Sequence, residues 1–378
     1  MNLKRSLKKL FGGKKRGNGG RIINLYGVSR PKKVCISYIL QPFNRPNEFK
    51  HQNYVTSHVV AETFHEMGYQ VDVYDYQHNN PISYNEYDVI FGIGDNFEKS
   101  FYCANRSIPR IHLITGIHEA LHNTNALRSI RDFYDLTKIW LPEETNITTV
   151  NHYYAMHEAD VALIMAEGYV FDHCKEVFKE KLYTLNNNIL GVFSEFEPKK
   201  ERNSNFLFLS GGKQLTKGLP ILLEVARLNP QLTFYVIVPR LNAVLENHYK
   251  DLFVGGNVLL FRDLRMDSKE MRQVVEACSY VVAPSYVDGM PGGTIEPMSA
   301  GLIPIVSKYC GFGKADFILE FEDVSVEGLN EMIEQVLKLD DGVFFNYSKL
   351  VKEYALSRYS KSNVKAQLKD ILGRLLTM

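Results

Sequence analysis

Between Tyr280 and Ser307 the chain reads YVVAPSYVDGMPGGTIEPMSAGLIPIVS, in which two carboxylates, Asp288 and Glu296, are separated by a glycine-bearing loop and a helix start. Backbone amides at a helix start hold anions, because the first N–H groups have no intrahelical acceptor. The pattern places Pro297 in the first helical turn, where its missing N–H is harmless, leaving the amides of Gly292, Gly293, Thr294 and Ile295 for a diphosphate. Gly289, Met290 and Pro291 form the approach to that anion site. Asp288 at the loop entrance and Glu296 in the first turn flank it, each able to accept two hydroxyl hydrogen bonds, as neighbouring sugar or ribose hydroxyls require. The same spacing also serves a plain turn with Glu296 favoured by the helix dipole, so spacing alone leaves both readings open.

A second chemical segment is SGGKQLTKG, where Ser210, Gly211 and Gly212 stand at a strand end and Lys213 and Lys217 are four residues apart. Two ammonium groups facing one diphosphate would offset the charge on a departing nucleoside diphosphate. A solvated basic turn has the same spacing. In HLITGIHEALHNTN, residues Thr115, Gly116 and His118 follow a strand and so lie on the edge that lines ligand clefts in open α/β sheets. An imidazole there can donate to a sugar hydroxyl or leaving group, or serve as an ordinary loop hydrogen-bonding residue. His122, His152 and His157 show no ligand spacing, and solvent-facing helix positions account for them. Cys35, Cys103, Cys174, Cys278 and Cys310 show neither metal spacing nor even pairing, so reduced thiols and no metal site are expected.

The elements that must position these groups alternate between strand and helix. Lys33 to Leu40 reads as a strand, His58 to Met67 as a helix ended by Gly68, and Val71 to Tyr74 as the next strand. Tyr87 to Ile93, Arg110 to Thr115 and Val161 to Met165 continue the pattern of a parallel sheet covered on both faces. The polar EFEPKKERNS stretch, residues 195–204, reads as a boundary. Beyond it the alternation restarts with strand FLFLS, helix Leu219 to Leu228, strands Thr233 to Val238 and Val258 to Phe261, helix Lys269 to Cys278, and the two strands around the acidic loop. No internal repeat is visible, and 378 residues fit two α/β domains of ordinary size.

Charge is unevenly placed. The first 47 residues hold twelve Lys or Arg and no acid, whereas the whole chain nets +1. Leu3, Leu7, Leu10 and Phe11 fall on one helical face and Lys4, Arg5, Lys8 and Lys9 on the other, ahead of a flexible GGKKRGNGG stretch. Residues 3–16 therefore read as a reversible anchor on an anionic membrane surface, each basic residue contributing about 1 kcal/mol there. A disordered solvated tail is the alternative. Nucleic-acid binding is not favoured, since no aromatic platform accompanies the basic run. No apolar run reaches the roughly 18 residues of a membrane span and no signal-peptide pattern opens the chain, so a cytoplasmic body, peripheral on the inner face of the membrane, is expected.

Asp-x7-Glu followed by PMSAGLIP resembles the Glu-x7-Glu region of the family 4 retaining glycosyltransferases, with Asp288 in place of the first Glu. The resemblance implies that Asp288 contacts a donor sugar, the amides of Gly289 to Thr294 the sugar and diphosphate, and Glu296 the nucleotide ribose. Lys217 matches the lysine of the family's Lys-Gly pair, Gly212 stands where the family usually has Arg, and Lys213 is a candidate substitute for it. His118 resembles the family's active-site histidine, and the Thr-Gly-x-His form is similar to a subgroup from bacterial surface-polysaccharide clusters. The HQNY stretch resembles that subgroup too, which makes His51 and Asn53 acceptor-side candidates with Thr115, Gly116 and His118.

The implied fold is α/β, two Rossmann-like domains facing a central cleft (GT-B type), with a basic N-terminal extension. Residues 1–20 would be tail and linker, 21–198 the acceptor domain, 199–355 the nucleotide-sugar domain, and 356–378 a last helix returning to the first domain. The implied reaction transfers a sugar from a nucleotide-diphosphate donor of UDP or GDP type to a hydroxyl of a glycan, lipid-linked or protein-linked acceptor. Retention is implied, and neither cofactor nor metal is required. Two alternatives share the architecture: a nucleotide-sugar epimerase, and a non-catalytic partner that binds a sugar nucleotide or glycan through a degenerate site.

Overall fold

Apolar, β-branched and aromatic runs supply two parallel sheets in the computed structural model, which describes residues 20–44, 51–79, 81–102, 105–148 and 153–376. The basic segment 3–16 lies outside the described residues, as do Cys103 and His152. The first sheet contains β1 (Arg21–Ile22), β2 (Lys32–Tyr38), β3 (Tyr69–Asp75), β4 (Val89–Gly92), β5 (Arg110–Ile114), β6 (Val161–Ile164) and β7 (Lys181–Thr184). Its spatial order is β1-β3-β2-β4-β5-β6-β7, parallel throughout except for β1, which runs antiparallel to β3. The second sheet contains β8 (Asn205–Leu209), β9 (Thr233–Val238), β10 (Val258–Arg262), β11 (Tyr280–Ala283), β12 (Ile303–Ser307) and β13 (Leu319–Phe321), all parallel, in the order β10-β9-β8-β11-β12-β13. Short β1, β7 and β13 were not expected, because two to four residues carry too little alternation to stand out from loop.

Central strands such as VALI (β6) and IPIVS (β12) are buried along their whole length, as parallel strands covered on both faces must be. The order of each sheet reverses once, between β2 and β4 in the first and between β8 and β11 in the second. Loops leaving the carboxyl ends of strands diverge at such a reversal and open a crevice. Both segments that carry the candidate acids and lysines, 210–218 and 284–291, leave the second sheet at its reversal.

The two domains are tied twice. The chain crosses from Thr184 to Asn205 without regular structure, and it returns through the C-terminal helices. Val351, Ala355 and Tyr359 of the Asp341–Tyr359 helix sit in the core of the second domain. Ser360 then adopts an extended backbone and breaks the helix. The Lys361–Leu376 helix inserts Val364, Leu368, Ile371 and Leu372 among Val34, Val60 and Phe64 of the first domain. The expected division at residue 356 thus falls inside a helix of the second domain, and the returning helix begins at Lys361. Ion pairs from Lys361 to Glu62 and from Lys365 to Glu66 border this seam. Surface pairs of that kind contribute at most about 1 kcal/mol each, whereas each buried aliphatic side chain contributes about 2 kcal/mol, so the apolar seam dominates. No helix of the described residues is long and apolar enough to cross a membrane.

Candidate functional site

A pocket of about 420 Å³ opens where the second sheet reverses. Gly211, Gly212 and Lys217 form one wall and Asp288, Gly292 and Gly293 another, while Val238 and Asp263 extend it along the edge of β9 and β10. His51 and Gln52 of the first domain, with Leu190 of the connecting segment, close the remaining side. Its volume suits a drug-sized or nucleotide-sized molecule.

Two walls meet because Gly218 has φ +72° and a Cβ there would lie 1.9 Å from the Pro284 carbonyl oxygen, a position open only to glycine. This close approach lets Lys217 Nζ donate to Asp288 Oδ2 at 2.8 Å and to the Val287 carbonyl at 3.1 Å. Ser285 Oγ donates to the same carboxylate oxygen at 3.1 Å. The pocket therefore holds a compensated cation and anion side by side.

The helix that follows runs Gly292–Met298 with Pro291 as its N-cap. Thr294 and Ile295 both donate their amides to the Pro291 carbonyl, at 2.9 and 3.1 Å. Of the four amides expected to be free, these two are spoken for, which leaves the pocket-lining Gly292 and Gly293. Pro297 and Glu296 also stand near the end of this short helix instead of in its first turn, because it starts two residues before Thr294.

Glu296 is fully buried and does not line the pocket. Its Oε2 accepts the Leu190 amide at 2.5 Å and its Oε1 the Val192 amide at 3.0 Å. Burial pushes the carboxyl above its ordinary range, and hydrogen bonds from Leu190, Val192, Gly191 and the Gln52 side chain oppose that shift. Through these amides Glu296, the acid assigned to a ribose contact from sequence, holds the interdomain segment.

Lys213 departs from expectation. Its backbone is left-handed (φ +67°), and its ammonium donates to the Glu143 carbonyl of the first domain at 2.7 Å. Neighbouring Glu144 accepts the Gln214 amide at 3.1 Å and Asn242 Nδ2 at 3.2 Å, so the 142–144 turn is docked on this loop and engages Lys213 there. Five described non-glycine residues have positive φ, and Lys213, Asp263 and Met290 all lie in the loops around the pocket. Strain of this kind gathers at ligand sites.

His118 is buried and does not line the pocket. Its Nε2 lies 2.7 Å from Nδ1 of His173, and burial, followed by that second imidazole, lowers its pKa to about 4. His118 is therefore neutral near pH 7, with its outer nitrogen committed to His173. Gly116 touches the other domain: a Cβ on Gly289 would sit 2.6 Å from the Gly116 Cα. Thr115 does not line the pocket. His51 does, with its ring lowered in pKa by burial and by Lys217 against the opposing pull of Asp288. His51 Nδ1 accepts the Asn53 amide at 3.1 Å and caps the Gln52–Glu66 helix, which is the role the structure gives Asn53. Met290 is buried, and its carbonyl accepts Asn187 Nδ2 at 2.9 Å.

Gln52, Leu190 and Asp263 were missed from sequence. Gln52 sits between two residues that were singled out, so the HQNY stretch held the signal, whereas Leu190 and Asp263 carry none.

Residues 193–355 match the model of the family "Glycosyl transferases group 1". Among solved structures the chain is similar to sucrose-phosphate synthase from Thermosynechococcus elongatus, with 12% identity over 92% of this chain and 99% of that one and a TM-score of 0.62. It is also similar to WaaG, a glycosyltransferase involved in lipopolysaccharide biosynthesis, with 14% identity over 90% and 98% of the two chains and a TM-score of 0.56. Anabaena HepE in complex with UDP and glucose matches at 14% identity over 91% and 99%, with a TM-score of 0.55. No curated protein matches the sequence. At such identities the likeness is one of fold, two Rossmann-like domains in the GT-B arrangement.

Proposed function

We propose that this protein is a glycosyltransferase that moves a sugar from a nucleoside diphosphate donor to a hydroxyl acceptor with retention, in the synthesis of cell-surface polysaccharide or glycoconjugate. The observation that carries this reading is the Lys217–Asp288 pair, set at 2.8 Å inside a glycine-walled pocket at the reversal of the second sheet. The group 1 match over residues 193–355 covers that pocket's principal walls, and HepE was solved with UDP and glucose.

In this reading Lys217 stabilises the negative charge that grows on the leaving diphosphate, and Asp288 receives hydroxyl hydrogen bonds of the donor sugar once the ligand draws the ammonium away. Amides of Gly292 and Gly293 add fixed donors. Retention at the sugar carbon requires no protein nucleophile when the departing diphosphate takes the acceptor's proton, so catalysis rests on positioning and charge stabilisation. His51 and Gln52 complete the pocket from the first domain, which excludes water when the domains are together.

A thermal-shift screen against UDP, GDP, ADP and CMP sugars tests the reading, because a ligand at 100 times its dissociation constant stabilises by about 2.7 kcal/mol. One nucleotide class should raise the melting temperature, and Lys217→Ala should remove the effect. No shift with any class would remove the donor site from the account. Transfer to added glycan or lipid-linked acceptors then separates this reading from epimerisation, which consumes donor alone.

A further inference from the structure

The pocket extends well past the Lys217–Asp288 pair. Its walls come from the carboxyl ends of four neighbouring strands: Asp288 follows β11, Gly212 and Lys217 follow β8, Val238 ends β9, and Asp263 follows β10 directly. Adjacent strands lie about 4.8 Å apart, so the three steps from β11 to β10 span about 14 Å. That is the reach of an extended nucleoside diphosphate, and one whose diphosphate meets Lys217 brings its base to the β10 end.

At that end the lining is apolar with one exception. Ile237 and Val238 are buried, and Leu264 and Met266 pack partly buried against the core of the second domain, a lining suited to the flat face of a base. Among the pocket-lining residues of β9, β10 and the loops that follow them, Asp263 alone carries a charge. Two arginines share its loop, and each is engaged elsewhere: Arg262 pairs with Glu246 at 2.6 Å and Arg265 with Asp267 at 2.7 Å. The Asp263 amide donates to the Val238 carbonyl at 3.1 Å, while its carboxylate has no ion pair or hydrogen bond among the described residues. Its backbone is left-handed, φ +52°, a conformation that aspartate and asparagine tolerate better than most residues.

An ionised carboxylate accepts hydrogen bonds at both oxygens and donates none. Guanine presents two neighbouring donors, its N1–H and its 2-amino group, and so matches both oxygens at once. Uracil sets its N3–H between two carbonyl oxygens, which turns one carboxylate oxygen against a carbonyl. Adenine and cytosine set a single amino donor beside a ring nitrogen that accepts. We infer that Asp263 reads the base and selects guanine, which makes the donor a GDP sugar. The inference rests on the proposed nucleotide-sugar donor, and it adds the residue that decides which nucleotide class enters.

Isothermal titration of the full chain with GDP, IDP, XDP, UDP and ADP, on wild type and Asp263→Asn, tests the assignment. IDP lacks the 2-amino group, and XDP carries a carbonyl in its place. Wild type should bind GDP about ten-fold or more tighter than each of the others, the factor that a hydrogen bond to a charged acceptor carries. Asparagine is isosteric and accepts the left-handed backbone, so Asp263→Asn keeps the loop while turning one acceptor into a donor. The variant should lose about ten-fold for GDP and gain for XDP, whose N1–H and 2-carbonyl match an amide. A wild type that binds any of the others as tightly as GDP overturns the base assignment and leaves the donor site standing. An Asp263→Asn variant with unchanged preference overturns it too, as does an equal loss for every nucleotide, which marks a structural role. If wild type binds none of the five, the donor reading itself fails and the inference falls with it.

Discussion

Lys217 Nζ lies 2.8 Å from Asp288 Oδ2, joining two loops whose partners are 71 residues apart in sequence. Their side chains keep 26% and 15% of their exposure, enough burial that neither charge is readily left alone. The pair is thus both a structural tie between the loops and, in the proposed function, the charge reserve that a diphosphate draws on.

Lys217→Ala should lower transfer on the order of a hundred-fold or more, the usual cost of removing one electrostatic donor from a transition state, while the protein stays folded. Steady-state kcat/KM with the donor found in the nucleotide screen, alongside circular dichroism, checks this. Activity within a factor of two of wild type would place the diphosphate elsewhere.

Gly218→Ala should destabilise strongly. A methyl group at φ +72°, 1.9 Å from the Pro284 oxygen, forces the two loops apart, so strain and lost loop contact act together, at about 2 kcal/mol or more. Gly211→Ala is the control: its added Cβ meets nothing within 4 Å, and the change should be nearly neutral for folding. Urea denaturation of both variants measures the contrast.

Gly212→Arg should raise affinity for the diphosphate. A Cβ at Gly212 meets nothing within 4 Å, and the position lines the pocket, so a guanidinium arm has room to enter. A bidentate fork on phosphate oxygens would lower the donor KM by about ten-fold or more. A higher KM would mean that this wall is shaped against the arm.

Stability should fall with acid through His118. Its folded pKa is depressed to about 4, below the ordinary histidine value, so the unfolded chain binds a proton first as pH falls. The histidine's contribution is whole above the ordinary value near 6.5 and is lost between there and about 4. Melting temperatures of wild type and His118→Gln across that window should converge as pH falls. Parallel curves would mean that the imidazole takes up its proton as readily in the fold as in the unfolded chain.

Much of the architecture was legible because it is written in local pattern. The Leu219–Leu228 helix and the Thr233–Val238 strand form over the same residues that their periodicity and flanking turns predict. Misreadings arose where an element was short or where its start was inferred from a single residue. Pro297 suggested a helix beginning near it, whereas Pro291 caps the helix and Pro297 closes it.

Residue types in the sequence by themselves determined that the second domain carries glycine loops with an acid and a lysine at strand ends, since backbone freedom and charge are properties of a few local residues. Tertiary structure decided which groups meet. Lys213 turns to Glu143, 70 residues away, Glu296 is taken by amides 104 and 106 residues away, and Gln52 enters the pocket from the opposite domain. The direction of a polar side chain follows the partner that burial leaves it. That partner exists only once the two sheets and their connecting segment are packed together.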